Sequence, residues 1–182
     1  AVYHDAIGTT TNNYIELQST AAAAQDNTAF QNTAPTSSVF SIGTKAAVNN
    51  DEDSHIAYCF APVEGYSAFG SYTGNGASGY PNADGPFIYL GFRPAFVLWK
   101  CTSQVENWTI YDSARGPFNY IDNKLNPNSS AAESTNANHE IDFLSNGFKV
   151  RNNNGEFNQN NGTYIYAAFS DKAFSLNGGL AR

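Results

Sequence analysis

The run His139-Glu-Ile-Asp-Phe-Leu-Ser145 places two carboxylates at alternate positions of a strand-like segment. Successive strand side chains point to opposite faces, so Glu140 and Asp142 are expected to share one face. Retaining glycoside hydrolysis needs two carboxyl groups about 5–5.5 Å apart, one as nucleophile and one as protonated acid. Here Ser145 stands three residues beyond Asp142, and Leu144 fills the closer spacing. A hydroxyl cannot serve as that acid, so the run reads as solvated strand carboxylates near a turn rather than as a catalytic pair. The histidines His4, His55 and His139 are scattered, and their expected roles are structural or exposed. There is no Gly-x-Ser-x-Gly elbow and no Cys–His spacing for a nucleophile. The Gly-rich stretch Tyr72–Gly79 lacks the Lys-Ser/Thr ending of a phosphate loop, and Asn75-Gly76 within it reads as a hairpin turn. Cys59 and Cys101 lie outside any CxxC and read as unpaired buried thiols, with a disulfide between them left open. The loop Asn49–Asp53 is rich in oxygen ligands of the kind Ca²⁺ takes, which makes Asp51 and Asp53 weak metal candidates. It lacks the glycine and terminal glutamate of a full calcium loop, so a solvated turn, with no cofactor, is the expected reading.

Sugar recognition is the chemistry the composition suits better. An aromatic ring covers the C–H face of a sugar while amides bond its hydroxyls. The chain of 182 residues is 14% aromatic and holds 23 Asn. Candidate ligand-binding residues are Trp108, Tyr80 and Tyr120, with Asn152, Asn153 and Asn154 in the Asn-rich loop. Trp99, inside an apolar strand, is expected to be buried. Charged residues make up only 14%, well under the roughly 25% usual for soluble domains. The net charge of −7 and the lack of a basic cluster exclude a phosphate-neutralising nucleic-acid binder. No apolar run is long enough for a membrane-spanning helix, so no membrane insertion is expected. The N-terminus shows no basic and apolar leader, and Met is absent throughout, so a processed chain or a fragment is expected.

These residues must be positioned by strands. Short runs rich in Tyr, Phe, Ile and Val, bounded by Gly, Asn, Pro or Ser, recur along the chain. Strands are expected at Val2–Tyr3, Tyr14–Leu17, Val39–Ile42, His55–Ala61, Ala68–Thr73, Phe87–Phe92, Ala95–Lys100, Trp108–Asp112, Asp122–Leu125, Ile141–Leu144, Gly147–Arg151 and Thr163–Phe169. Helix-friendly stretches are confined to Thr20–Gln25 and Ser130–Glu133. The pattern predicts an all-β protein built as an antiparallel β-sandwich.

The chain also repeats. Val2–Gly8 matches Ile110–Gly116, Val39–Gly43 matches Phe143–Gly147, Val48–Asp51 matches Val150–Asn153, and His55–Ala61 matches Tyr164–Ser170, in that order. Four ordered matches point to a duplicated unit. The section from Phe69 to Asn107, with about three strands, has no counterpart in the first copy. We therefore expect a partial first sandwich repeat over 1–65, incomplete at its N-terminus, and a complete second repeat over 66–182. The missing strands would lie upstream or be replaced by another chain.

Several stretches carry a resemblance: Ile56–Ser67, Phe69–Gly76, Asp84-Gly-Pro-Phe-Ile-Tyr-Leu-Gly-Phe-Arg-Pro-Ala-Phe96, Ile110–Arg115, Ile141–Lys149 and Gly162–Phe169. Together they resemble a repeat domain of virion-associated, tail-fibre-like proteins of marine tailed bacteriophages. The resemblance implies a jelly-roll or concanavalin A-like and laminin G-like sandwich on the exterior of a phage particle. It carries no catalytic residues. The function expected from it is a non-enzymatic structural protein of the virion, a tail-fibre or surface-adhesion module binding host surface glycans. It would contact other virion proteins and assemble as a homo-oligomer. The alternatives are a capsid decoration or cement protein without a receptor, and a secreted lectin-like adhesin.

Overall fold

The computed structural model describes residues 1–8, 12–79 and 83–171, with Ala137 described by its backbone only. In chain order the elements are β1 (Asn13–Tyr14), β2 (Ala24–Gln25), α1 (Asn27–Phe30), α2 (Ala46–Asn49), β3 (Ser67–Thr73), β4 (Phe87–Tyr89), β5 (Phe96–Cys101) and β6 (Trp108–Asp112). They continue with β7 (Asn123–Lys124), β8 (Ser134–Thr135), a 3₁₀ turn at Ala137–His139, β9 (Ile141–Leu144), β10 (Gly147–Val150), α3 (Gly155–Asn158) and β11 (Thr163–Phe169).

Two antiparallel sheets face each other. One has the order β3-β11-β5-β6 and the other β4-β10-β9. Alternation along each strand decides which side chains meet. Val97 and Trp99 on β5, Tyr111 on β6 and Tyr166 and Ala168 on β11 point inward, against Ile88, Ile141, Phe143, Phe148 and Val150 of the second sheet. Trp99 is the centre of this layer. Its ring stacks on Phe148 at 5.7 Å and on Tyr111 at 5.1 Å, and meets the edge of Phe157 at 5.2 Å. Gly147 lets the second sheet close, because a Cβ there would stand 2.0 Å from the Ile88 carbonyl oxygen.

The opposite face of the larger sheet is covered by residues from 1–8 and 12–25. Ile7 and Ile15 pack on Trp108 and Ile165, with Val2, Ala23 and Leu98 beside them. Polar bonds fasten this layer: Trp108 Nε1 donates to the Glu16 carbonyl at 2.9 Å and Lys100 Nζ to that of Thr20 at 3.2 Å. Lys100, though it points outward from the sheet, is thereby fully buried.

The two halves repeat the same local pairings. In β1–β2, Asn13 pairs with Gln25; in β7–β8, Asn123 pairs with Thr135, 110 residues on. The bridge Val2↔Ile15 has its twin in Ile110↔Leu125. Ser19 Oγ accepts from Ala21 N at 3.0 Å as Ser129 Oγ does from Ala131 N at 3.1 Å. Asp26 caps Thr28 N at 2.8 Å as Asn136 caps Asn138 N at 2.9 Å. Past these the spacing becomes 109: α2 corresponds to α3, and Asn49 Nδ2 bonds the Gly43 carbonyl at 3.0 Å as Asn158 Nδ2 bonds that of Asn152 at 2.9 Å. Gly43 thus corresponds to Asn152, so the sequence matches of Val39–Gly43 with Phe143–Gly147 and of Val48–Asp51 with Val150–Asn153 have no structural counterpart.

Several local expectations are corrected. Val39–Ile42 and His55–Ala61 form no strand. By the spacing of 109 they correspond to residues 148–151 and 164–170, which are held by β4 and by β3 and β5, and no second set of those strands is present among the described residues. Thr20–Gln25 and Ser130–Glu133 are not helical; strands follow or overlap them at β2 and β8, and the helices are the four-residue turns α1, α2 and α3. Asn75-Gly76 closes no hairpin, because β3 and β4 belong to different sheets. Asn75 instead exchanges two bonds with Asn158, its N donating to Oδ1 at 2.8 Å and its Oδ1 accepting from Nδ2 at 3.0 Å.

Candidate functional site

At the end of the sandwich where β5 and β10 begin and β6, β9 and β11 end, the loops surround a cleft of about 480 Å³. Arg93, Ser113, Ser145, Ser170 and Asp171 line it, over a floor that includes Phe92 and Pro94. Residues that carry one guanidinium, three hydroxyls and a carboxylate therefore border one polar space. The Arg93 guanidinium donates through Nη1 to the Phe143 carbonyl. Asn119 Nδ2 donates to the same oxygen at 3.0 Å, and Asn119 Oδ1 accepts from Phe143 N at 2.9 Å. The shared acceptor brings the segment 118–120 beside the Arg93 side of the cleft, and the rings of Phe118 and Tyr120 on it are exposed. No sequence motif marks Arg93, Ser113 or Ser170, and Ser145 stands in the sequence only as the hydroxyl beyond Asp142. They sit in loops, and residues from 65 to 171 converge there only once both sheets are assembled.

Of the residues expected to bind a ligand, none lines the cleft, and only Tyr120 lies next to a residue, Asn119, that shares an acceptor with Arg93. Trp108 is 3% exposed, lies beneath the N-terminal layer and spends its N–H on Glu16. Asn152 is buried, donating to the Glu140 carbonyl at 3.0 Å and accepting from Asn154 N at 2.9 Å. Asn154 caps α3 by accepting from Glu156 N at 2.9 Å. These two amides order the loop instead of facing outward, whereas Asn153 between them is exposed. Tyr80 lies outside the described residues.

A second concentration of charge lies on α3. Lys124 and Glu156 form an ion pair with side chains 8% and 7% exposed, and Asn107 Nδ2 donates to the other Glu156 oxygen at 2.8 Å. Burial raises the pKa of nearby Glu106, with Glu156 adding to the effect, and burial lowers that of Lys100. Both Glu156 oxygens are occupied and the pair is shut from solvent, so this cluster ties β7 to α3 and offers no reacting atom.

The carboxylates singled out at the start do not assemble into a site. Glu140 is fully buried, and Asp142 accepts from Arg151 Nε at 2.6 Å. Asp51 and Asp53 sit on an exposed turn where Asn50 Nδ2 donates to Asp53 at 2.6 Å. No group of three or more His, Cys, Asp or Glu that could hold a metal ion occurs among the described residues. Both cysteines are free; Cys101 is buried as expected, but Cys59 is exposed because its segment joins no sheet. His4 accepts from Ala6 N through Nδ1 at 3.1 Å and turns Nε2 to the Tyr166 carbonyl at 3.3 Å. Burial lowers its pKa against the opposing pull of that carbonyl and Asp5, and its bonds within the N-terminal layer and to β11 make it a structural ring.

No curated protein and no solved structure matches this chain. The family model DUF7483 spans the residues of both the N-terminal layer and the sandwich, matching 1–173, and the chain belongs to that family, described as a domain of unknown function.

Proposed function

We propose that this chain is a non-catalytic structural module of the exterior of a bacteriophage particle, a tail-fibre or adhesion unit that holds host surface glycans in the Arg93 cleft. The observation that carries the reading is the cleft itself, bordered by polar residues beside exposed rings at the loop end of a rigid sandwich. Guanidinium, hydroxyl and carboxylate groups match the donors and acceptors of a sugar, and a Tyr120 or Phe118 ring suits its C–H face. Loops on a rigid scaffold are where binding residues concentrate. The amide-rich, weakly charged composition accords with the same reading, as does the resemblance to tail-fibre-like repeats.

A glycan array tests it, followed by titration of the best ligand against the protein and its Arg93→Ala and Tyr120→Ala variants. Binding weakened tenfold or more in each variant, at unchanged melting temperature, supports the cleft. No glycan above background, or affinity indifferent to both substitutions, overturns it. A second reading is favoured by a different observation. Ile56, Tyr58 and Phe60 are 80%, 80% and 67% exposed, which is the apolar docking surface a capsid decoration or cement protein would need. Localising the protein in an image of the whole particle separates fibre from decoration.

A further inference from the structure

Residues 51–64 are exposed throughout, and Ile56, Tyr58 and Phe60 occupy alternate positions, with the Phe60 ring edge-on to Phe169 at 5.7 Å. Among the described residues no backbone hydrogen bond engages residues 56–60. The sequence repeat aligns this segment with β11, and the spacing of 109 that relates α2 to α3 continues through it. Yet β11 is the best-paired strand of the molecule, held between β3 and β5 along nearly its whole length. The difference lies in the neighbours. The self-contained parts of the repeat form in both halves: the β1–β2 pair, the Val2 bridge and the Asn49 amide bond. The parts that need strands from the section 67–101 form only in the second half. Asn158 shows what else is missing, since it clamps Asn75 of that section, while its twin Asn49 is exposed.

We propose that residues 55–61 are the middle strand of a second sheet, and that its occupant is a further segment built like residues 67–107 of this chain, placing one strand on each side of 55–61. A second copy of this chain is a poor occupant, because its own β3 and β5 already hold its own β11. The register follows from the equivalence. Cys59 corresponds to Ala168, which pairs with Ala68 on one side and Val97 on the other. Cys59 would then stand opposite the alanine equivalent to Ala68 and lose its exposure, as Ala168 has. Asn49 would clamp the asparagine equivalent to Asn75. An unpaired row of backbone donors and acceptors beside apolar side chains is what strand addition satisfies.

The test supplies that segment to the full chain by fusing a second copy of residues 66–107 ahead of Ala1 through a flexible linker. Cys59 is a natural reporter, because the resident Cys101 is buried and the added copy carries Cys101→Ala. Expected results are a drop of 100-fold or more in the maleimide labelling rate of Cys59 and matching protection of amides 56–60 in hydrogen exchange. An Ala68→Cys change in the added copy should form a disulfide with Cys59 under oxidised glutathione, whereas Ser71→Cys should not. Ala57→Asp in the fusion, at the position equivalent to inward-facing Tyr166, should restore labelling. Protection of the amides of β11 in the same exchange experiment reports that the resident sandwich is folded. Cys59 labelled as fast in such a folded fusion as in the parent chain overturns the proposal. So does protection of 56–60 in the parent chain that rises with protein concentration, which would make a second copy the occupant.

Discussion

Lys124→Met removes the ammonium of the buried pair on α3 and keeps most of the side-chain volume. Glu156 then stays buried with Asn107 as its remaining donor. Breaking a buried pair by deleting one partner costs about 3–5 kcal/mol, because the other charge is left uncompensated. Asn107 retains part of the solvation, so the lower end, about 3 kcal/mol, is expected for Lys124→Met. Glu156→Leu strands the ammonium 5.9 Å from the Phe157 ring, a weak substitute for a carboxylate, and falls in the same range. The double variant leaves no buried charge, and a well-packed apolar replacement is often neutral. It should lie within about 1–2 kcal/mol of wild type, leaving Asn107 one partner short. The coupling between the two sites is then about 4 kcal/mol or more. Urea unfolding followed by the fluorescence of Trp99 and Trp108, both buried, measures all four proteins. Single variants that each lose less than about 1 kcal/mol, the value of an exposed pair, would show that water reaches the pair and refute the reasoning.

Gly147→Ala should cost about 2 kcal/mol or more in the same assay, since its Cβ would meet the Ile88 carbonyl and push β4 from β10; a loss below about 0.5 kcal/mol would mean that the strand gives way freely. Trp108→Phe keeps the apolar contact but removes the bond to Glu16, for a loss of about 1 kcal/mol. Hydrogen exchange should then speed up at Val2 and Ile15, whose amides bridge the N-terminal layer, and unchanged rates there would separate that layer from Trp108. Burial lowers the pKa of His4 and of His139 in the folded state. The unfolded chain therefore takes up protons first, below about pH 6.5, so stability is full above that value and falls on acidification until the folded pKa values are passed. The urea midpoint should drop between pH 7 and pH 5.5, and less steeply in His4→Gln; a flat or rising midpoint contradicts the assignment.

The amino-acid sequence determined the strand positions of the sandwich well, because alternation in segments such as Phe96–Cys101 and Thr163–Phe169 is a local signal with a two-residue period. Part of the repeat pattern has a structural parallel in pairings such as Asn13↔Gln25 and Asn123↔Thr135, whereas two of its four sequence matches have none. Tertiary structure decided the rest. Trp108 and Trp99 both occupy strand positions, and nothing local says that residues from 1–8 and 12–25 will cover the outward face and bury Trp108 there. The amides of Asn152 and Asn154 look like ligand groups until the folded loop claims them for its own backbone. The Arg93 cleft is assembled from loops distant in sequence, which leave no periodic trace. His55–Ala61 shows the limit most clearly: its alternation matches that of a strand, but a strand is a pairing of two segments, and its state is set by whether neighbours like β3 and β5 reach it.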